Sequence, residues 1–144
     1  MIRHSTNVRV RYRDTDQMGV VYHGVYLEFF ETGRTELLRA CGMAYSSIER
    51  GGLLLPVLQA TLNIQRPARY DDLLTVTATM SEPSGIRLVI EYQIHCGELL
   101  LVTGTTTHVF TTADGMKPVR LPAGFLTVLR DGVSGEPTVV SKTD

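Results

Sequence analysis

The sequence has little of what marks secreted or disulfide-stabilised proteins. It contains no tryptophan and only two cysteines, Cys41 and Cys96, which do not form a CxxC pair. We therefore expect free thiols rather than a disulfide framework. The first ten residues, MIRHSTNVRV, contain no apolar stretch of signal-peptide length. These absences predict a cytoplasmic protein.

Long apolar runs and a charge excess of one sign are also missing. The longest apolar runs, GGLLLPVL and LLLV, are far shorter than the roughly 20 residues that a membrane-spanning helix needs. The formal net charge is -1, with both signs interspersed along the chain. This balance favours neither a nucleic-acid groove nor a polybasic membrane anchor, but a local cationic pocket for a phosphorylated ligand is compatible with it. We predict no nucleic-acid partner and no membrane span.

What the sequence does contain is enough apolar material for one hydrophobic core. Of its 144 residues, 43% are hydrophobic, which is typical of a single domain of ordinary size. No internal repeat and no linker divides the sequence. We predict one domain over residues 1–131 and a frayed tail over residues 132–144.

The spacing of apolar residues predicts a strand followed by a long helix. Residues 6–14 alternate between apolar and charged positions, which is typical of a half-buried strand with Val8, Val10 and Tyr12 on its buried face. From about His23 the apolar spacing changes to three and four, which indicates a helix of about 17 residues that ends before Gly42. Its apolar stripe contains Tyr26, Phe30, Gly33, Leu37 and Cys41.

Four further segments have the composition of strands. They cover residues 55–66, 73–82, 86–96 and 99–112, and tight-turn sequences separate the last three. Short helices are predicted within residues 44–52 and 122–132. The predicted fold class is α+β, with one long central helix wrapped by a curved antiparallel sheet of about five strands. Such a sheet has exposed edges, which a second copy of the chain would cover.

The segment YRDTDQMGVVYH, residues 12–23, concentrates titratable side chains. Asp14 and Asp16 would share a face if the strand continued, and paired carboxylates can divide acid and base roles. Aspartates before a helix are also common turn and cap residues. His23 falls at the predicted helix start, where unpaired backbone N–H groups can hold a developing oxyanion, but a histidine there can equally cap or pack. Spacing alone leaves these interpretations open.

Several common catalytic and metal-binding signatures are absent from the sequence. It has no GxSxG, no phosphate-binding glycine loop and no HExxH. His95 and Cys96 are neighbours on a predicted strand, so their side chains point to opposite faces and cannot form a thiol–imidazole pair. His4, His95 and His108 have no partner at metal-ligand spacing. We predict neither a metal site nor a cofactor.

Three cations are candidates for binding phosphate groups. Arg66 and Arg69 flank Pro67 in the segment QRPARYDD, and Lys117 lies in the turn sequence TADGMKP. The planar guanidinium group of arginine suits phosphate. The alternative interpretation is that these side chains are solvated loop charges.

Taken as one ordered string, YRDTDQMGVVYHGVYLEFFETGRTELL resembles the hotdog-fold acyl-CoA thioesterases of the 4-hydroxybenzoyl-CoA thioesterase class. It is most similar to the branch that includes the tol-pal-associated (YbgC-like) acyl-CoA thioesterases. The family pattern is a tyrosine, an aspartate four residues later, then G-V-V-Y-H and a helix. A second segment, RPARYDDLLTV, resembles the next block of the family. Together these motifs lie within about residues 6–112.

The resemblance implies hydrolysis of an acyl-CoA, or of an acyl carrier protein thioester, with a short, medium or aromatic acyl group. Asp16 would be the catalytic carboxylate, acting as nucleophile or as general base. The His23 backbone N–H would donate to the thioester oxygen. The His23 side chain and Tyr12 would lie near the site, and Asp14 would be structural. Substrate contacts would come from Gly19, Val21, Tyr22, Arg66, Arg69 and Lys117.

The resemblance also implies a homodimer or homotetramer, because hotdog domains pair with acyl sites at the subunit interface. Two other functions are alternatives to thioester hydrolysis. A hotdog hydratase or dehydratase uses a differently spaced Asp/His pair with an asparagine or proline between, which DTDQMGVVYH lacks. A non-enzymatic acyl-CoA-binding module often loses the carboxylate and adds a DNA-binding segment, whereas Asp16 is present and 144 residues leave no room for that segment.

Overall fold

The computed structural model describes residues 1–83 and 85–132, together with the backbone of residues 139–140. The chain is an α+β protein with nine strands and three helices in these ranges. The helices are α1 (Val25–Ala40), α2 (Tyr45–Arg50) and α3 (Ala123–Asp131). The strands are β1 (Ile2–Arg9), β2 (Leu53–Leu54), β3 (Val57–Ile64), β4 (Leu73–Met80), β5 (Leu88–Cys96), β6 (Leu99–His108), β7 (Phe110–Thr112), β8 (Pro118–Val119) and β9 (Val139–Val140).

The main sheet contains five long antiparallel strands, as the sequence predicts. Its order is β3-β6-β5-β4-β1, and the short β9 adds to β1 in parallel. β1 runs against β4 from Ile2 opposite Met80 to Arg9 opposite Leu73. A second sheet contains β2, β7 and β8. β3 is therefore a free edge of the main sheet in the described part of the chain.

The predicted strand over residues 99–112 is in fact two strands in different sheets. The chain leaves the main sheet after His108, and β7 then pairs with β2. The His108 ring lies 3.2 Å from the Leu55 carbonyl oxygen, which ties this exit point to the segment that connects β2 to β3. The edge strand is also shorter than predicted, because it spans Val57–Ile64 rather than residues 55–66.

The long helix α1 packs against β1 and β4 with the stripe that its spacing predicts. Tyr26, Phe30 and Leu37 are buried in the core. Gly33 is needed at the centre of this stripe, because a Cβ atom there would lie 2.7 Å from Val76 Cγ1. The close contact between helix and sheet offsets the roughly 1 kcal/mol that a glycine costs inside a helix.

Two predicted boundaries before α1 are wrong. The first strand ends at Arg9, and Tyr12–Asp14 form a 3-10 turn, so Tyr12 does not share the buried face of Val8 and Val10. The Asp14 side chain causes this change, because its Oδ2 atom accepts the Arg11 backbone N–H at 2.8 Å and closes the turn. The helix begins at Val25, two residues after His23.

The predicted frayed tail lies mostly outside the described residues. Residues 133–138 and 141–144 are not described, and the backbone of Val139–Val140 pairs with Ser5 and Thr6 of β1. Along the described helices, no segment is long and apolar enough to cross a membrane.

The centre of the core depends on a glycine in β6. The rings of Phe30 and Tyr92 stack with their centroids 4.3 Å apart and their planes at 6°. A Cβ atom at Gly104 would lie 2.5 Å from Phe30 Cε2 and would collide with the Thr61 carbonyl oxygen. The absence of a side chain at Gly104 thus makes room for the stacked rings.

We expect Gly104→Ala to lower the free energy of unfolding by about 1–3 kcal/mol, because overpacking a close-packed core forces its neighbours apart. Urea unfolding monitored by circular dichroism measures this change. Gly124→Ala in α3 is the matched control, because a Cβ atom there meets nothing within 4 Å. Equal unfolding midpoints for the two variants would contradict this account of the core.

Candidate active site

The candidate catalytic aspartate lies on a short hairpin formed by residues 15–21, which we call the Asp16 hairpin. Thr15 pairs with Val21 in an antiparallel bridge. The Asp16 N–H donates to the Val20 carbonyl at 2.9 Å, and the Gly19 N–H donates to the Asp16 carbonyl at 3.0 Å. Gly19 has φ +81°, a conformation that glycine adopts without strain. The predicted turn residues therefore fold back on themselves and fix the backbone of Asp16.

The two aspartates of this segment have different surroundings. Asp14 is only 3% exposed, its Oδ2 accepts the Arg11 N–H, and its Oδ1 lies 3.5 Å from Arg11 Nη2. The Asp14 carbonyl also accepts the Tyr22 N–H at 2.9 Å. Asp16 is half-buried, and its Oδ1 accepts the Met18 N–H at 2.8 Å. Within the described ranges, the Asp16 Oδ2 atom has no hydrogen-bond partner, so it is available to a substrate or a water.

Unpaired backbone donors lie just before α1. The first N–H groups of the helix are used in turns, since Val25 donates to the Tyr22 carbonyl at 2.9 Å and Tyr26 to the His23 carbonyl at 3.4 Å. Among the residues that the structure describes, no acceptor contacts the N–H of His23 or of Gly24. Free N–H groups at the positive end of a helix dipole form a site for negative charge.

The His23 and Tyr22 side chains are both exposed. Their ring centroids are 4.2 Å apart, and the ring planes are tilted by 38°. His23 therefore does not pack in the core, and the described residues include no hydrogen bond from its side chain to the backbone at the start of α1. The imidazole borders the free N–H groups instead.

The loop over residues 66–72 supports the hairpin from one side. The Val21 N–H donates to the Ala68 carbonyl at 2.9 Å, and Val20 pairs with Arg69. The Ala68 N–H in turn donates to the Tyr26 hydroxyl at 3.0 Å. Burial raises the pKa of Tyr26. The hydrogen bond from Ala68 lowers this pKa in part, and the negative charge of Asp72 raises it. The neutral Tyr26 hydroxyl thus joins α1 to the loop, a role that spacing alone did not indicate.

The structure places two of the three candidate phosphate-binding cations on the supporting loop and the third elsewhere. The side chains of Arg66 and Arg69 are both exposed on the supporting loop, and Arg69 is the one whose backbone pairs with the hairpin. Lys117 lies on the turn between β7 and β8, where its N–H donates to the Thr112 hydroxyl at 3.1 Å. That turn belongs to the second sheet, whose strands do not pair with the hairpin.

Tyr12 is joined by hydrogen bonds to the start of the hairpin. Its carbonyl accepts the Thr15 N–H at 3.2 Å and the Thr15 hydroxyl at 2.7 Å. The side chain is 79% exposed, and its ring contacts Tyr70 edge-on with centroids 5.7 Å apart. Tyr70 was not predicted as a site residue, because only the folded loop brings it to Tyr12.

Comparison with known proteins assigns the chain to a family. The family model described as the thioesterase-like superfamily matches residues 10–129, most of the chain. The chain belongs to the thioesterase-like superfamily. This confirms the family that the ordered motifs resemble, and the protein is a hydrolase of thioesters.

Individual relatives of this thioesterase agree with the assignment. The acyl-CoA thioesterase YbgC of Haemophilus influenzae is 37% identical over 116 residues, which cover 80% of this chain and 85% of that protein. The acyl-CoA thioester hydrolase YbgC of Escherichia coli O6:H1 is 34% identical over 116 residues, which cover 80% and 87%. A solved DHNA-CoA thioesterase from Staphylococcus aureus matches with a TM-score of 0.80 at 33% identity, over 84% of this chain and 82% of that one. The fold is that of the hotdog thioesterases.

The start of α1 borders a small cavity next to the candidate site. Phe29 and Phe30 of α1 are both buried in the core. A cavity of about 110 Å³ lies beside Asp14, Arg11 and Glu28, enough for a few waters. The described residues contain no group of three or more histidine, cysteine or acidic side chains that could hold a metal ion.

A second polar cluster lies inside the thioesterase and is structural. Arg34 Nη1 donates to the Tyr92 hydroxyl at 3.0 Å, and this hydroxyl lies 2.6 Å from the Thr106 hydroxyl. Thr106 Oγ1 lies 2.8 Å from His108 Nε2, and His108 Nδ1 lies 3.2 Å from the Leu55 carbonyl oxygen. Arg34 can only donate and the Leu55 carbonyl can only accept, so hydrogen bonds that all run from Arg34 towards Leu55 give every group a partner. In that arrangement Nδ1 carries the histidine proton and Nε2 accepts from Thr106.

This arrangement requires a neutral His108. The pKa of His108 is lowered to about 4, mainly by burial and also by the Arg34 charge, while hydrogen bonds to the backbone at Leu55 and Pro56 oppose the change. A proton on Nε2 would leave the Thr106 hydroxyl with donors on both sides and no acceptor for its own proton. His108 therefore holds the connection from β2 to β3 and does not act as a base near neutral pH.

We expect the free energy of unfolding to fall as the pH is lowered from about 6.5 to about 4. In this window the unfolded state binds a proton at His108 that the folded state excludes, so the stability present above pH 6.5 is lost progressively. His108→Gln should be less stable than wild type at pH 7 but should show a smaller loss between pH 7 and pH 4.5. Chemical denaturation at both pH values measures the two losses, and equal losses in both proteins would contradict the role of His108.

Proposed function

We propose that the protein is an acyl-CoA thioesterase in which Asp16 is the catalytic carboxylate. The observation that carries this proposal is the free Oδ2 atom of Asp16 on a backbone fixed by the hairpin, beside an Asp14 whose two oxygens are both engaged. A free carboxylate oxygen can attack the thioester carbonyl or take a proton from an attacking water. Both routes lead to the free acid and CoA.

The free N–H of His23, with that of Gly24 beside it, is proposed to hold the thioester oxygen as it gains negative charge. Fixed donors of this kind act most strongly where charge develops in the transition state, and losing one costs about 3–4 kcal/mol in other acyl-transfer enzymes. A thioester lacks the resonance stabilisation of an ester, so a carboxylate and one or two such donors are sufficient without a metal. The exposed His23 ring and Tyr12 would border the reacting groups.

The substrate would be bound by the hairpin and its supporting loop. Gly19, Val21 and Tyr22 would contact the thioester region through the fixed backbone between Asp16 and His23. Arg69 is better situated than Arg66 to reach the CoA phosphates, because its backbone pairs with Val20. Lys117 lies on the second sheet. It would contact the CoA only at a more distant part of the nucleotide, or from the other subunit across an interface.

Acyl-CoA is proposed as the substrate class because the relatives are named for it, including the two YbgC proteins and the DHNA-CoA thioesterase. The acyl group would be short, medium or aromatic, and acyl carrier protein is the alternative carrier. A non-enzymatic binding module would need neither a free carboxylate oxygen at Asp16 nor free N–H groups before α1. A hydratase remains disfavoured by the segment DTDQMGVVYH.

A second copy of the chain is proposed to complete the site. Val57, Leu58 and Ile64 expose apolar surface on β3, the free edge of the main sheet. Antiparallel pairing of two copies of β3 about a twofold axis would bring the start of one β3 next to the end of the other, where the supporting loop begins. This would give a hotdog dimer with α1 as the central helix of each sheet and with acyl sites between the subunits.

Asp16→Asn should lower kcat for thioester hydrolysis about a hundredfold or more, because the substitution keeps the size of the side chain and removes its charge. The measurement is steady-state hydrolysis of a panel of acyl-CoAs. Asp131→Asn, an exposed carboxylate at the end of α3, is the matched control and should keep wild-type activity. Full activity of Asp16→Asn would show that the site is elsewhere, and acyl-CoA binding without turnover by wild type would favour the binding module.

Leu58→Glu should reduce the protein to single chains and lower its activity, because it places a charge on the proposed β3 interface. Light scattering coupled to size-exclusion chromatography gives the mass of the assembly. Val89→Glu changes an equally exposed apolar residue away from the edge and should leave an assembly of at least two chains. A wild-type protein that runs as a single active chain would refute the shared site.

A further inference from the structure

One buried tyrosine hydroxyl joins the start of α1 to the supporting loop. Tyr26 is buried, and its hydroxyl accepts the Ala68 N–H at 3.0 Å. Among the described residues, this is the one hydrogen bond between α1 and the loop. Tyr26 belongs to the first turn of the helix and lies three residues after His23. The bond therefore anchors the part of α1 that directly follows the free N–H groups.

The supporting loop is itself fixed to the main sheet at both ends. The Arg66 N–H donates to the Leu101 carbonyl of β6 at 3.1 Å. At the other end, the Asp71 N–H donates to the carbonyl of Val10, which follows β1, at 3.0 Å. The Asp16 hairpin pairs with the middle of this loop. The hairpin thus takes its position from the sheet through the loop.

The connection between the hairpin and the helix has little hydrogen bonding of its own. Residues 22–24 join the Asp16 hairpin to α1. Among the residues that the structure describes, no acceptor contacts the N–H of His23 or of Gly24, which leaves both open to a substrate. The same freedom removes two hydrogen bonds that would fix the angle between hairpin and helix. The bond from Ala68 to Tyr26 ties the helix to the hairpin without using those N–H groups.

The proposed reaction needs the hairpin and the helix start at one fixed separation. The thioester carbon must meet the Asp16 carboxylate, or the water that it activates, while the thioester oxygen meets the free N–H groups. Stabilisation of this kind depends on donors that are in place before the charge develops. An error of about 1 Å in the placement of reacting groups can lower a rate by roughly a hundredfold. Substrate affinity depends on contacts along the whole CoA moiety, so such an error lowers kcat more than affinity.

We propose that Tyr26 is a positioning residue for thioester hydrolysis, whose hydroxyl sets the separation between Asp16 and the free N–H groups before α1. This proposal rests on the proposed function and adds a buried residue to it. Without the hydroxyl, the Ala68 N–H would be buried with no partner, and the loop would move to hydrate it or to bring it to another acceptor. The hairpin that is bonded to the loop would move with it and lose its alignment with the helix.

Tyr26→Phe removes the hydroxyl and keeps the ring in the core. For the acyl-CoA that the wild type hydrolyses fastest, we expect kcat to fall roughly 10- to 100-fold while KM stays within about threefold of wild type. Tyr92→Phe is the matched control, because it removes another buried tyrosine hydroxyl, which is bonded to Arg34 and Thr106 in the structural cluster. It should keep the wild-type kcat. Circular dichroism at the assay temperature shows whether both variants are folded.

A double variant separates positioning from a general loosening of the protein. If Tyr26 acts through Asp16, Tyr26→Phe should lower the rate by a factor at least about three times smaller in an Asp16→Asn background than in the wild type. Single-turnover reactions with enzyme in excess measure the low residual rates.

Equal fold-losses in the two backgrounds would overturn the proposal. So would an unchanged kcat in Tyr26→Phe, a rise in KM alone, or an equal loss of kcat in Tyr92→Phe. Loss of the folded signal in Tyr26→Phe would also overturn it, because the hydroxyl would then serve the fold rather than the site. The proposed function fails separately, if Asp16→Asn alone retains wild-type activity.

Discussion

The backbone of one buried residue, Ala68, is the constraint on which the candidate site depends. Ala68 has no exposed surface, so both of its backbone polar groups need partners inside the protein. Its carbonyl accepts the Val21 N–H of the hairpin, and its N–H donates to the Tyr26 hydroxyl of α1. The hairpin that carries Asp16 and the helix preceded by the free N–H groups are thereby fixed to the backbone of the same residue. Their relative position follows from this shared anchor.

Asp14 and Asp16 have identical side chains and are two residues apart, but they have different surroundings and different roles. Asp14 is buried, and its hydrogen bonds with Arg11 close the 3-10 turn. One carboxylate oxygen of Asp16 accepts the Met18 N–H, and the other has no hydrogen-bond partner among the described residues. The turn that Asp14 closes directs the chain away from β1, so that the next residues can form the hairpin. The structural aspartate thus creates the geometry in which the second aspartate is accessible.

Apolar periodicity predicted most of the fold, because burial sets the spacing of residues in α1 and in the five long strands. The periodicity gave a wrong prediction where a side chain forms a hydrogen bond with the backbone. The Asp14 side chain ends the strand alternation that would have placed Tyr12 in the core. It also placed His23 two residues too far into the helix, because the pairing of the hairpin delays the first helical turn. The motif indicated Asp16 and His23, whereas Tyr26 acquires its role from a contact between segments far apart in sequence. Local spacing contains no information about such contacts.

The space at Gly104 has a consequence for how this core can change during evolution. Phe30 on the helix, Tyr92 on β5 and the Thr61 carbonyl of the edge strand surround a position with no room for a single methyl group. A larger residue at position 104 would need both a smaller side chain at position 30 and a shift of the Thr61 carbonyl, and a smaller residue at position 30 alone leaves a void. Neither order of single steps is neutral. The residues at positions 30 and 104 should therefore be retained together in related proteins, even where the surface residues differ.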